Sequence, residues 1–149
     1  MHLLDTSVWV ALALSTHMHH VSAVEWFAPQ SQAASILFCR ATQHAFLRLI
    51  TTESVVRLYE TGAMTNALAW QVYGGYLADP RVAWSDEPPG VEAQWKKFAL
   101  HSTASPKLWM DAYLAAFAME GKHQLVTFDR AFKQFKGLDV LVLGTARTT

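Results

Sequence analysis

Short apolar runs that lead directly into helical patterns recur along this chain, and no other feature of the sequence constrains its fold as tightly. "HLL" leads into "DTSVWVALAL", and "SILFC" leads into "ATQHAFLRLIT". "MTNALAWQVYGGYLAD" is followed by the short run "RVAW", while "QLVTF" and "VLVL" flank the short helical segment "RAFKQF". "HHVSAVEWF", "VEAQWKKFALHS" and "KLWMDAYLAAFAMEG" read as further helices, the second set off by the turn-forming "DEPPG". Strands and helices in alternation predict a parallel sheet with helices over both faces. The expectation is a single three-layer α/β/α domain over residues 1–149, with four to five strands.

A sheet covered on both faces needs much apolar material. The chain has it: 52% of residues are hydrophobic, with six Trp and eight Phe. None of this forms a membrane span, because "VWVALAL" is far shorter than the ~20 residues a transmembrane helix requires. Asp5 precedes that run and no basic segment does, which argues against a signal peptide. Cys39 stands alone, so no disulfide can form within one chain, and the cytoplasm is the expected compartment. The net charge is zero but unevenly spread. Residues 1–95 carry four basic and eight acidic side chains, whereas 96–136 carry seven basic and three acidic. The second stretch is either an ordinary solvated surface or a weakly cationic face for a polyanion.

Three aspartates stand out. In "HLLDTS" and "LVTFDR" an apolar strand ends at an aspartate and a helix follows at once. Asp5 and Asp129 can each cap that helix. They also fall at the carboxyl ends of strands, where open parallel sheets bind ligands. Asp111 is the only charge between Leu108 and Met119, and it shares a helical face with Leu108, Leu114, Ala115 and Ala118. A carboxylate carried inward with that face is costly unless a cation or hydrogen bonds meet it. Three carboxylates at one crevice would repel one another and raise each other's pKa, and a divalent cation removes that conflict. All-oxygen ligands suit Mg²⁺ or Mn²⁺, which can activate water and stabilise charge developing on a phosphodiester.

"LLDTSVWVAL", "WMDAYLAAFA" and "LVTFDRAF" together resemble the acidic motifs of PIN domains, and most of all those of VapC-type toxins of toxin–antitoxin pairs. The resemblance spans nearly the whole chain. It implies a sheet ordered 3-2-1-4-5, with the strands ending at Asp5 and Phe128 side by side. It also implies metal-dependent endoribonuclease activity on RNA, a homodimer and inhibition by a small VapB-like antitoxin. Asp5, Asp111 and Asp129 are the implied metal ligands. Where such proteins usually carry a glutamate, "TQHAFLRLI" has Gln43, which offers a carbonyl oxygen without charge. A catalytically weakened fold that binds RNA or a protein partner is therefore the second reading. Glu53 could replace the missing acid, or it could begin the next helix behind a Thr51 or Thr52 cap.

Ser7 and Thr127 flank the acids and can hold carboxylates or metal waters through hydrogen bonds. Arg48 and Arg130 are candidate RNA contacts. Trp109 can pack in the core or stack on a base. "HMHH" (17–20) lacks cysteine or acid at zinc-ligand spacing and reads as an exposed helix start. A phosphatase using Asp5 as nucleophile would need a second aspartate two positions on, where Ser7 stands.

Overall fold

Successive residues of a strand point to opposite faces, and in this protein each face meets its own hydrophobic cluster. In the computed structural model, which describes residues 1–59 and 62–144, the strands are β1 (His2–Leu4), β2 (Ile36–Phe38), β3 (Val82–Trp84), β4 (Gln124–Thr127) and β5 (Val140–Val142). They form one sheet in the order β3-β2-β1-β4-β5, and every pairing is parallel. The strand order implied by the resemblance is the one observed.

Among the described residues, seven α-helices cover the sheet: α1 (Thr6–Ala13), α2 (His20–Phe27), α3 (Arg40–Ile50), α4 (Glu53–Val56), α5 (Asn66–Ala78), α6 (Val91–Ala99) and α7 (Leu108–Glu120). Leu4, Ile36, Phe38, Val82 and Val126 face the layer formed by α1 to α5, where they meet Val8, Trp9, Ala23, Phe46, Ile50 and Tyr73. Leu3, Leu37 and Leu125 face the other way, onto Ala112, Leu114, Ala115, Phe117 and Ala118 of α7, with Trp95 and Phe98 of α6 beside them. The three expected layers are present. Among the described residues, no helix is long and apolar enough to cross a membrane.

Three local expectations need correction. The helix expected over "VEAQWKKFALHS" stops at Ala99, because Leu100 turns extended and is 76% exposed, leaving no apolar contact to carry the helix on. Thr52 occupies the cap position of α4 but makes no cap hydrogen bond. Its hydroxyl donates back to the carbonyl of Arg48 at 2.5 Å, satisfying the end of α3. "HMHH" is only partly exposed, since His17 stacks on Tyr59 and His19 on Phe128 while Met18 stands free.

Between sheet and helices, the Trp9 and Phe38 rings stack at 3.7 Å and 9°, with both side chains fully buried. That contact joins α1 to β2 over the centre of the sheet. Phe38→Ala removes one ring and leaves a cavity under the other, at an expected cost of about 3–5 kcal/mol. Urea unfolding followed by tryptophan emission measures the loss.

Candidate active site

The pairing of β1 with β4 builds the site. Leu4 lies opposite Val126, and the Asp5 N–H extends the ladder by donating to the Val126 carbonyl at 2.9 Å. Asp5 and Thr127 therefore emerge side by side at the carboxyl edge. Asp5 holds the N-cap position of α1, yet its side chain caps nothing. Instead its Oδ2 accepts hydrogen bonds from Ser7 Oγ and Thr127 Oγ1, both at 2.8 Å. Thr127 is fully buried, and its hydroxyl also accepts the Asp129 N–H at 3.0 Å, so one oxygen bridges two of the three aspartates. Asp129 does cap: its Oδ1 accepts the Ala131 N–H at 2.8 Å at the start of the 3₁₀ turn Arg130–Gln134. The capping role expected at these two positions falls to Asp129 alone.

Asp111 sits in the first turn of α7, half-buried, ahead of the buried run Ala112–Ala118 that contains only Tyr113 as a partly exposed member. Burial pushes its carboxyl up to about 6, with the charges of Asp5 and then Asp129 adding to the rise. Enclosure likewise raises Asp5. The Ser7, Thr127 and Thr6 hydrogen bonds oppose that rise, and the charge of Asp129 adds to it. The three acids thus share one electrostatic neighbourhood. Asp111 and Asp129 line a common cleft of about 530 Å³, together with His101, Lys107 and Gln134. Among the described residues, no three His, Cys, Asp or Glu side chains gather tightly enough to enclose a metal ion unaided.

The remaining candidates are spread more widely. Gln43 is buried, and its Oε1 accepts a hydrogen bond from Arg40 Nη1 at 2.6 Å. Arg48 is exposed and lines a separate cleft with His44, Leu47 and Trp70, between α3 and α5. Arg130 is exposed at the turn that Asp129 caps. Glu53 pairs with Arg57 on the surface of α4. Sequence reasoning passed over Lys107 and His101 as lining residues. Lys107 stands one helical turn before Asp111, a spacing that could have drawn attention to it.

The PIN domain family matches residues 2–138 of this chain. The chain belongs to that family. It is 46% identical over 142 residues to ribonuclease VapC41 of Mycobacterium tuberculosis, covering 95% of this chain and 97% of that protein. Among solved structures it is similar to VapC20 of Mycobacterium tuberculosis, a sarcin–ricin loop cleaving toxin. The TM-score is 0.69 and the identity 14%, over 97% of this chain and 100% of the other. It is also similar to VapBC2 of Rickettsia felis bound to a DNA fragment from its promoter, with TM-score 0.65 and 13% identity over 96% of this chain and 98% of that one. At such identities the structural likeness speaks for the PIN fold, while the match to VapC41 places this PIN domain with the VapC proteins.

The raised carboxyl of Asp111 makes the metal-free PIN domain sensitive to pH. Its folded pKa of about 6 lies above the unfolded value of 3.8, so the ionised side chain weighs against the fold. That penalty is complete above about pH 6 and fades as the pH falls toward 3.8. In EDTA, Asp111→Asn should melt higher than the wild type at pH 8, and the gap between the two melting temperatures should narrow steadily below pH 6 and close only near 3.8. A lower melting temperature for Asp111→Asn at pH 8 would identify the side chain as a structural hydrogen-bonding group.

Proposed function

We propose that this PIN domain, as a single unit of residues 1–149, is a divalent-metal-dependent endoribonuclease and the toxin of a toxin–antitoxin pair. The observation that carries the reading is the charge conflict at Asp111, whose carboxyl is raised by burial and by the two other aspartates at the carboxyl edge. The donor set fits Mg²⁺ or Mn²⁺, being anionic oxygens with no thiol or imidazole among them. Because the carboxylates do not close on one point, one or two would bind the ion directly and the rest through water, as Mg²⁺ prefers. When bound, the cation supplies positive charge to the scissile phosphodiester and lowers the pKa of water.

The side chains of the protein position and orient. Ser7 and Thr127 both donate to Oδ2 of Asp5, which fixes the carboxylate and leaves Oδ1 free of either hydroxyl. Thr127 transmits the same order to the backbone of Asp129. Lys107, in the cleft with Asp111 and Asp129, offers a cation to a phosphate, and exposed Arg130 follows Asp129 in the chain. Arg48, on a different cleft, would meet RNA only at a distance from the acids. A small VapB-like antitoxin, a homodimer and a cytoplasmic setting complete the reading. They are supported by the 46% identity to a VapC ribonuclease.

A second reading is a weakened PIN fold that binds RNA or a protein without cutting, favoured by the uncharged Gln43. RNA cleavage with Mg²⁺ or Mn²⁺ separates the two. Asn at position 5, 111 or 129 should lower the rate at least ~100-fold, with the fold preserved by circular dichroism. RNA binding without cleavage by the wild type would select the weakened form.

Gln43 enters the reading as a neutral neighbour of the waters of the ion. In Gln43→Glu the new carboxylate would lie beside Arg40, now 2.6 Å from the amide oxygen, so part of its charge would be neutralised. The Mg²⁺ needed for half-activity should still fall, by less than about tenfold. An unchanged metal titration would remove Gln43 from the site.

A further inference from the structure

The first turn of α7 serves two hollows. It contributes Lys107, Leu108 and Asp111 to the acidic cleft, and Trp109 and Met110 to a second hollow of about 350 Å³. Arg40, His44, Trp95 and Tyr113 line the rest of the second one. Its size falls at the lower end of small-ligand clefts, ~300–1,000 Å³.

The walls are held in place by contacts of their own. Trp95 Nε1 donates to the Trp109 carbonyl at 2.9 Å. The Trp95 ring meets Trp109 edge-on at 6.1 Å and Tyr113 edge-on at 5.3 Å. Tyr113 is anchored in turn by its hydroxyl, which donates to Glu87 Oε2 at 2.6 Å. On the opposite wall the Arg40 guanidinium lies 4.5 Å over the Trp84 ring, and Trp84 Nε1 donates to Asp86 at 2.9 Å. Arg40 donates to the neutral Gln43, and among the described residues it forms no ion pair. No carboxylate among the described residues stands within ion-pair distance of it, while Asp86 and Glu87 are engaged by Trp84 and Tyr113. Trp109 is 58% exposed although every neighbouring aromatic is fixed. Lys96 adds a further cation to the adjoining hollow that Trp95 and Trp109 also line.

An open indole face, a stacked guanidinium without a counter-ion and nearby lysines match a nucleotide: base on aromatic, phosphate on cation. We propose that this hollow binds one unpaired nucleobase of the RNA, stacked on Trp109, with an adjoining phosphate held by Arg40. The assignment rests on the ribonuclease reading. It deepens that reading by selecting single-stranded or looped RNA, whose bases can leave the stack to reach an aromatic side chain. Because one helical turn carries both Trp109 and Asp111, a single strand can occupy the hollow and the acidic cleft together.

The test uses the full chain carrying Asp111→Asn, in EDTA, and a 5′-fluorescein single-stranded RNA containing all four bases, read by anisotropy. Adding Trp109→Ala should weaken Kd on the order of tenfold, while Trp109→Phe, which keeps a stacking face, should stay within about threefold. Arg40→Gln should weaken binding and flatten the dependence of log Kd on log salt by about 0.7, the contribution of one phosphate contact on a single strand. Tryptophan emission should be quenched by RNA in the parent and much less in Trp109→Phe. Failure of the parent to bind RNA, with no cleavage by the wild type, overturns the ribonuclease reading and this assignment with it. Normal binding by both Trp109→Ala and Arg40→Gln overturns the subsite alone and leaves the hollow to a protein partner.

Discussion

The parallel pairing of Leu4 with Val126 decides what stands at the carboxyl edge of the sheet. β1 has β2 on one side and β4 on the other, so the direction in which strands are added to the sheet reverses at it and the crevice opens at its carboxyl end. With that register, Asp5 and Thr127 leave the sheet together, and a hydroxyl meets a carboxylate at 2.8 Å without any loop having to be ordered first. Slipping the pairing by one residue would turn Leu3 and Leu4 into each other's layers and take Thr127 away from Asp5. Core packing and site geometry are therefore one constraint: the apolar alternation that sorts Leu3 from Leu4 also aims the acid.

That constraint creates an electrostatic load. Asp5 is enclosed and stabilised by two hydroxyls, Asp129 is stabilised as a helix cap, and Asp111 has neither kind of support in the contacts described. Burial and the charges of Asp5 and Asp129 therefore act on Asp111 unopposed, and its carboxyl is pushed up to about 6. An apolar helix can carry such a residue because the run behind it is buried against Leu3, Leu37 and Leu125 and holds the first turn over the edge of the sheet. A carboxylate that costs the metal-free fold in this way gains from a cation placed beside it.

Much of this was legible in the residues. Short apolar runs set between helical patterns located all five strands, and the strand–aspartate–helix grammar singled out Asp5 and Asp129. The order of the strands was not legible from periodicity, since parallel crossovers of similar length permit several orders. It came from the resemblance to PIN domains. Which helix faces which layer was also hidden, because α5 and α7 carry apolar residues on every side and have no single stripe to read. The same blindness put Arg48 on the list and left Arg40 off it. Position along α3 says nothing about Trp84, which is distant in the chain and reaches Arg40 only because β2 and β3 are neighbours. Caps failed for a related reason. Asp5, Asp129 and Thr52 all precede helices, yet only Asp129 caps: Asp5 is drawn off by Ser7 and by the distant Thr127, and Thr52 by the Arg48 carbonyl at the end of the helix before it.

The contacts of Gln43 show how one substitution can redistribute charge across such an edge. A glutamate in that place would pair with Arg40, cancelling the cation that now stands over Trp84. With glutamine the guanidinium keeps its full charge and a fixed orientation, held by one neutral hydrogen bond and one aromatic face. The hollow that Arg40 lines thus keeps a cation that a glutamate at position 43 would neutralise, so the residue at one position of α3 sets the charge of a surface three residues earlier on the same helix.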